Sequence, residues 1–401
     1  MRRILSLLAG LSLLPCLLTQ AALAQSPAPL LPAPPAIAAK SWVLLDFNTG
    51  QTLLSRDPDL RIEPASLTKV MTAWLVFDAL KQKRITLDQA VPVSDRAWKA
   101  EGSRTFIEPR KPVTVDELLK GMIVQSGNDA TIALAELVAG SEEAFADLMN
   151  RQAGRLGLGG THFVNATGLP DPRHDSTARD LGVLASALIR DFPGFFPLYS
   201  LREYRYNNIT QYNRNLLLGR DPTVDGLKTG FHESAGYCLI ATAKREPRRL
   251  LSVVLGTASE QARAQESQKL LNYGFQFYET VRLYQKGQAV ARLPVYKGAR
   301  DELRAGFMDD FHMSVPRGMA DRIKANLTSL QPLLAPVAAG QKVGTLSITL
   351  DGKPVGDYPV VALEAVRWTR NYLQGAPVHP SSQRAPRWPP GVSRLSWRVL
   401  K

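Results

Sequence analysis

From Val70 to Leu80 the chain is apolar apart from Thr72 and Asp78, so this stretch has no polar face to offer water. A helix apolar all round packs inside a protein, and the pattern predicts a buried helix opening at Ser66. Upstream, residues 41–47 and 51–54 flank Asn48-Thr49-Gly50, the mark of a β-hairpin. Downstream, Thr114-Val115-Asp116-Glu117 reads as a capping box that starts a helix through Leu118, Leu119 and Met122. That helix breaks at Ser126-Gly127-Asn128, and a further apolar helix runs from near Asp129 to Gly140. Ser141 caps the next, with Phe145, Leu148, Met149, Gln152 and Leu156 at helical spacing. Thr177 to Ile189 carries another, ended by Phe192-Pro193.

The pattern then turns to strands. Residues 224–230 precede two apolar strands, 236–244 and 250–256, joined across Glu246-Pro247, and residues 258–277 read as an amphipathic helix. Strand, helices, strands and a closing helix predict an α+β fold over residues 41–278, an antiparallel sheet carrying a helical insertion. From Val281 onward Lys286-Gly287, Lys297-Gly298 and Asp351-Gly352 punctuate short stretches such as residues 342–350. They predict a small all-β domain over residues 279–366. No internal repeat is visible.

The two ends differ from this. Arg2 and Arg3 precede an apolar run from Ile4 to Leu18, and Ala22-Leu23-Ala24 forms a small-residue cleavage site, so residues 1–24 read as a secretory signal peptide. Pro15 and the shortness of the run argue against a spanning anchor. Residues 25–40 are a Pro/Ala-rich linker. Export leaves Cys238 as the only cysteine, which excludes an internal disulfide. Loss of the signal takes the formal charge from +13 to +11, a balance that favours anionic membrane or cell-wall polymers. Nucleic acid is not expected as a partner, because no basic stripe interleaves with aromatics. The five histidines lack metal-ligand spacing, so neither a metal nor another cofactor is expected.

Candidate chemistry starts at Ser66-Leu67-Thr68-Lys69. Residues i and i+3 share a helix face, which sets the Ser66 hydroxyl beside the Lys69 amine at the inner end of a core helix. Burial disfavours an ammonium and lowers its pKa. A neutral lysine is a base able to activate a serine. Two further motifs follow in order, Ser126-Gly127-Asn128 at a helix break and Lys228-Thr229-Gly230 on a strand. Each alone is weak; the ordered set behind an export signal is selective. Ser103 and Arg104, by their place in the chain, are set at the cleft. Trp74 and Phe77 are assigned to core packing, and His162, His174 and His232 to the surface.

Together these motifs resemble the serine-type D-alanyl-D-alanine carboxypeptidases, the low-molecular-mass penicillin-binding proteins. Residues 64–69, 126–130 and 225–230 carry that family's wording, and Asn165-Ala166-Thr167-Gly168-Leu169 with Asp171 fits its connecting segment. The resemblance implies a β-lactamase/transpeptidase-like domain followed by a β-domain. It implies hydrolysis of the terminal D-alanine from peptidoglycan stem peptides, with β-lactams as covalent inhibitors. Ser66 is then the nucleophile, Lys69 the general base and Ser126 the proton relay. Asn128, Lys228, Thr229, Gly230 and Phe231 bind substrate: Asn128 orients the amine or the peptide amide, Lys228 and Thr229 face the terminal carboxylate, and the Ser66 and Phe231 amides form the oxyanion hole. Lys228 also helps to keep Lys69 neutral. The location implied is periplasmic.

Other readings remain distinct. A D,D-endopeptidase uses the same site on cross-links. A class A β-lactamase needs a glutamate in Glu-x-x-Leu-Asn, and none of Glu136, Glu142, Glu143 or Glu203 has that context. A non-catalytic wall-binding protein would form no penicillin adduct. Phe231 stands where some relatives carry histidine. Residues 367–401 form a basic tail rich in Trp and Pro; after Glu364 it holds seven Lys/Arg and no acid. Its prolines forbid a long helix, and only Val392, Leu395 and Val399 opposite Arg394, Arg398 and Lys401 keep an amphipathic pattern. Two expectations stand for it: weak attachment to the inner membrane's anionic lipid, or a disordered basic tail.

Overall fold

The computed structural model describes residues 31–369 and the backbone of residues 395–398. The signal-peptide expectation, residues 25–30 of the linker and most of the tail lie outside the described residues. Strands β1 (Ser41–Asp46) and β2 (Thr52–Arg56) form the expected hairpin. Helix α1 (Lys69–Lys81) follows, then short strand β3 (Ala90–Val91), helix α2 (Asp95–Trp98) and strand β4 (Val113–Thr114). The insertion continues through α3 (Val115–Lys120), α4 (Asn128–Ala139), α5 (Glu142–Leu156) and α6 (Ala178–Asp191). A ribbon of β5 (Glu203–Tyr206) and β6 (Ile209–Tyr212) and the short α7 (Leu217–Arg220) lead to β7 (Val224–His232), β8 (Gly236–Arg245) and β9 (Arg248–Thr257). Helix α8 (Glu260–Phe277) closes the unit.

The local signals act as read. Thr114 and Glu117 complete the capping box of α3, and the hydroxyls of Ser141, Thr177 and Ser259 cap α5, α6 and α8. The sheet runs β2-β1-β9-β8-β7, antiparallel throughout. Side chains alternate along β1: Val43 and Leu45 join the core with α1 and α6, while Trp42 and Leu44 pack with Leu270 and Leu271 of α8. The sheet therefore lies between α8 and the helical insertion. Phe77 is fully buried, and half-buried Trp74 meets Phe192 edge-on at 5.2 Å. Cys238 sits buried on β8, and burial pushes its thiol up to about 11, which leaves it inert. β7 lies at the sheet edge, so one side of its backbone has no strand partner.

After α8 the chain is all β. Strands β10 (Tyr278–Tyr284), β11 (Ala289–Tyr296), β12 (Glu302–Gly306), β13 (Phe311–Pro316), β14 (Ile323–Ser329), β15 (Leu333–Leu334), β16 (Lys342–Leu350) and β17 (Lys353–Ala362) enclose their own core. β10 and β13 form a ribbon that reaches back to the first sheet. There Asp46, fully buried, accepts hydrogen bonds from Arg248 at 3.2 Å, Thr280 at 2.8 Å and Ser314 at 2.8 Å. One carboxylate thus ties both sheets, and its pairing with Arg248 offsets the cost of burying it.

The tail departs from the amphipathic-helix pattern. Leu395–Arg398 is a strand, β18, paired antiparallel with β14. Leu-Ser-Trp-Arg alternates apolar and polar with period two, the strand period, and a sheet edge supplies its partner. Among the described residues no helix is long and apolar enough to cross a membrane.

Candidate active site

Three elements meet at one cleft. Ser66 lies on a 3-10 turn, Ala65–Thr68, that precedes α1, where the spacing alone predicted an α-helical start. A π-helical turn, Gly121–Gln125, ends α3, and Ser126 leaves it in the left-handed region at φ +67°. Asn128 then opens α4. β7 supplies Lys228, Thr229 and Gly230. A Cβ on Gly230 would lie 2.9 Å from the Pro64 carbonyl oxygen, so glycine there lets the sheet edge approach the serine turn.

Lys69 is 1% exposed. Its amine lies 2.9 Å from Ser66 Oγ and donates to Asn128 Oδ1 and to the Thr167 carbonyl, each at 2.7 Å. A neutral amine has two hydrogens and one lone pair. Both hydrogens are taken by those acceptors, which leaves the lone pair for the Ser66 hydroxyl. Burial, and next the charge of Arg214, lower the Lys69 pKa to about 7, against the opposing pull of Glu142 and Asp129. The amine is therefore about half neutral near pH 7.

Sequence reasoning aimed Lys228 at the substrate carboxylate. Its amine instead donates to Ser126 Oγ and the Thr229 carbonyl, each at 2.9 Å, and it does not line the cleft. Burial, then the charges of Lys69, Arg214 and Arg263, hold it well below the usual lysine range. The cleft, about 440 Å³, is lined by Ser66, Ser126, Asn128, Thr229, Gly230 and Phe231, together with two cations the motifs did not reveal, Arg214 and Arg263. Arg214 donates to Ser103 Oγ at 2.9 Å, and Arg263 to the Gly230 carbonyl at 3.2 Å. Arg263 had a legible signal: it falls on the core-facing side of α8, in step with Ser267, Leu270, Leu271 and Gly274. Nothing local marks Arg214.

Other placements are corrected. Ser103 lines the cleft, but Arg104 turns away, donating to the Trp98 carbonyl at 2.5 Å. His174 is no surface group: it is 2% exposed, and its Nε2 lies 2.8 Å from Thr68 Oγ1. Val164 N–H donates to Nδ1, which assigns the proton to Nε2, and burial lowers the pKa to about 4. His232 lines the cleft beside Glu63, while His162 is exposed as read. Phe231, half exposed, stacks on Tyr237 at 4.2 Å and forms a rim. None of Glu136, Glu142, Glu143 or Glu203 lines the cleft. Among the described residues no group of His, Cys, Asp and Glu is arranged to hold a metal ion.

Residues 29–259 match the profile of the D-alanyl-D-alanine carboxypeptidase family, more than half of the chain. The chain belongs to that family. The carboxypeptidase match is followed, over residues 278–367, by a match to the C-terminal domain of penicillin-binding protein 5. D-alanyl-D-alanine carboxypeptidase DacC of Escherichia coli is 41% identical over 83% of this chain and 85% of its own length. The carboxypeptidase DacF of Bacillus subtilis is 37% identical over 82% and 86%. Among solved structures, penicillin-binding protein 5 from Haemophilus influenzae superimposes with a TM-score of 0.79 at 38% identity, covering 83% of this chain and 99% of that one. The carboxypeptidase family brings with it the serine-type hydrolase assignment.

Proposed function

We propose that this carboxypeptidase removes the terminal D-alanine from stem peptides ending in D-Ala-D-Ala through an acyl-enzyme on Ser66, and that β-lactams acylate the same oxygen. The observation that carries this is the buried Lys69 amine, 2.9 Å from Ser66 Oγ and held by Asn128 Oδ1 and the Thr167 carbonyl, which in its neutral form leaves a lone pair for the Ser66 hydroxyl. Ser66 Oγ attacks the penultimate carbonyl carbon while its proton passes to Lys69. The oxyanion is held by the Ser66 and Phe231 amides. Ser126 hands its proton to the leaving amine as the C–N bond breaks and is refilled by the proton Lys69 took from Ser66, which returns Lys69 to its neutral form; Lys228, 2.9 Å from Ser126 Oγ, supports that relay. Thr229 receives the terminal carboxylate, with Arg214 and Arg263 supplying the positive field beside it. Water attacks the ester carbonyl while Lys69 takes its proton, the acyl C–O bond breaks as that proton passes to Ser66 Oγ, and the shortened peptide leaves with Lys69 neutral again. Asn128 keeps the amine oriented throughout.

Residues 41–278 are the catalytic domain in this reading and 279–366 the β-domain. Residues 1–24 direct export to the periplasm, where the enzyme trims peptidoglycan and so bears on cell shape. The purified chain should form one adduct with labelled penicillin and release free D-alanine from a pentapeptide but none from a cross-linked dimer. Ser66→Ala should do neither. An adduct that survives Ser66→Ala, or release from the dimer alone, would reject the assignment.

The tail holds the enzyme weakly to anionic lipid on the outer face of the cytoplasmic membrane. Its seven cations and its tryptophans support this. Deleting residues 371–401 should reduce sedimentation with anionic liposomes at low salt; unchanged sedimentation counts against the anchor.

A further inference from the structure

The Thr167 carbonyl that receives Lys69 belongs to a loop, and something must hold that loop still. Inside it, Asn165 Oδ1 accepts from the amides of Thr167 at 3.1 Å and Gly168 at 2.7 Å. Along its outer side, Ala166 presents its carbonyl to Thr72 Oγ1 at 2.7 Å and its N–H to Glu142 Oε1 at 3.0 Å. Glu142 starts α5 yet is only 4% exposed, its carboxylate turned into the protein. The other oxygen, Oε2, accepts from Arg96 Nε at 3.1 Å and Nη2 at 2.5 Å. A buried carboxylate is unfavourable unless paired and hydrogen-bonded. Here every partner either neutralises it or belongs to the loop under the base.

We propose that Glu142 is a positioning residue for the base: held by Arg96, its carboxylate fixes the Ala166 amide and so the neighbouring Thr167 carbonyl that takes one N–H of Lys69. Glu142 therefore acts through the loop and touches no reacting atom. This rests on the assignment of Lys69 as base. It also gives a use to a glutamate that a β-lactamase reading would have wanted at the deacylating water, a place its two bonded oxygens and its burial deny it.

Two consequences separate. Position follows from the hydrogen bond to Ala166, and charge from the carboxylate itself. The charged groups around the Lys69 amine are Lys228 from β7, Arg214 from the segment before α7, Asp129 from α4 and Glu142 from α5. Of these, Glu142 and Asp129 favour the ammonium. Glu142→Gln keeps an oxygen for the Ala166 N–H and removes the charge. Arg96, about half exposed, then turns to Glu143, already 3.1 Å away. Glu142→Ala removes both.

The test follows Ser66 acylation by a fluorescent penicillin, per active site and against pH, in the full mature chain, with a thermal melt of each variant. Glu142→Ala is expected to lower the plateau rate at least about tenfold, the scale of a small misplacement at a reacting centre. Glu142→Gln is expected to restore most of that rate, with its acid midpoint below that of the wild type. Wild-type rates and midpoints in both variants would overturn the proposal. So would a lower melting temperature with an unchanged rate per site, the mark of a purely structural residue. Accumulation of acyl-enzyme in Glu142→Gln at unchanged acylation would overturn it too, by moving Glu142 to deacylation. If the wild type itself forms no Ser66 adduct, the functional reading fails first.

Discussion

Lys69→Ala is expected to slow acylation of Ser66 by about 10²–10⁴, the range that general-base catalysis contributes. The loss should not be rescued by raising the pH, because among the described residues no other group is bonded to Ser66 Oγ in position to take its proton. Lys69→Arg should fare no better, since a guanidinium stays charged at any usable pH. In the wild type the same rate should climb from acid pH and level off above about 7, where the amine becomes neutral. Two pH units below that midpoint, about one-hundredth of the amine is neutral, and acylation should fall accordingly. Stopped-flow labelling with a penicillin reads both effects. An acid midpoint near 4, or a Lys69→Ala protein that acylates normally, would remove Lys69 from its role.

The same lysine makes stability depend on pH, and in the same direction. Its folded pKa of about 7 lies below its ordinary 10.5. Between those values the unfolded chain binds more protons than the folded one, so this group's contribution rises with pH through the window. Below pH 7 the folded state carries the full penalty of a buried ammonium. Urea unfolding of wild type and Lys69→Ala should therefore show a difference that changes steadily from pH 7 to 10.5 in favour of the wild type.

Gly168→Ala is expected to destabilise the protein by about 2–5 kcal/mol, combining overpacking with a left-handed backbone. Gly168 has φ +81°, and a Cβ there would lie 1.8 Å from the Ala65 carbonyl oxygen and 2.7 Å from Thr68 Oγ1. The obstacle is backbone, so it cannot swing aside. Either the loop carrying Thr167 or the turn carrying Ser66 must move, and each displaces the base from the nucleophile. Acylation per site should fall with stability. Gly140→Ala is the comparison: its φ is +83°, but nothing lies within 4 Å of the added carbon. It should cost only the left-handed backbone term, about 1–2 kcal/mol, and leave acylation intact. Equal melting shifts in the two variants would mean that the close approach at Gly168 carries no energy.

Much of this molecule was legible before folding was considered. The buried helix after Ser66, the caps at Thr114, Ser141 and Thr177, and the strand bearing Lys228 all follow from short-range rules. Those rules concern neighbours one to four residues apart, and they acted here as they do elsewhere. Ser66 was an exception even locally: its turn is a 3-10 segment, and Gly168 and Gly230 approach it closely. The failures have another origin. His174 read as a surface group because one residue's polarity says nothing of a threonine 106 positions earlier that accepts it. Arg263 shows as a charge on an apolar helix face, whereas Arg214 carries no local sign.

Sequence by itself determined which chemical groups this protein owns and the elements that display them: a serine and a lysine three residues apart, an asparagine at a helix start, a lysine on a strand. Tertiary structure alone decided what each group does. Lys69 reaches Asn128 59 positions away and the Thr167 carbonyl 98 positions away, and Lys228 reaches Ser126 across 102. Hydrogen-bond direction and burial, which set the lone pair on Ser66 and the pKa near neutral, are properties of that assembly. A local pattern can place an amine beside a hydroxyl; only the packed walls of the cleft decide where its protons point.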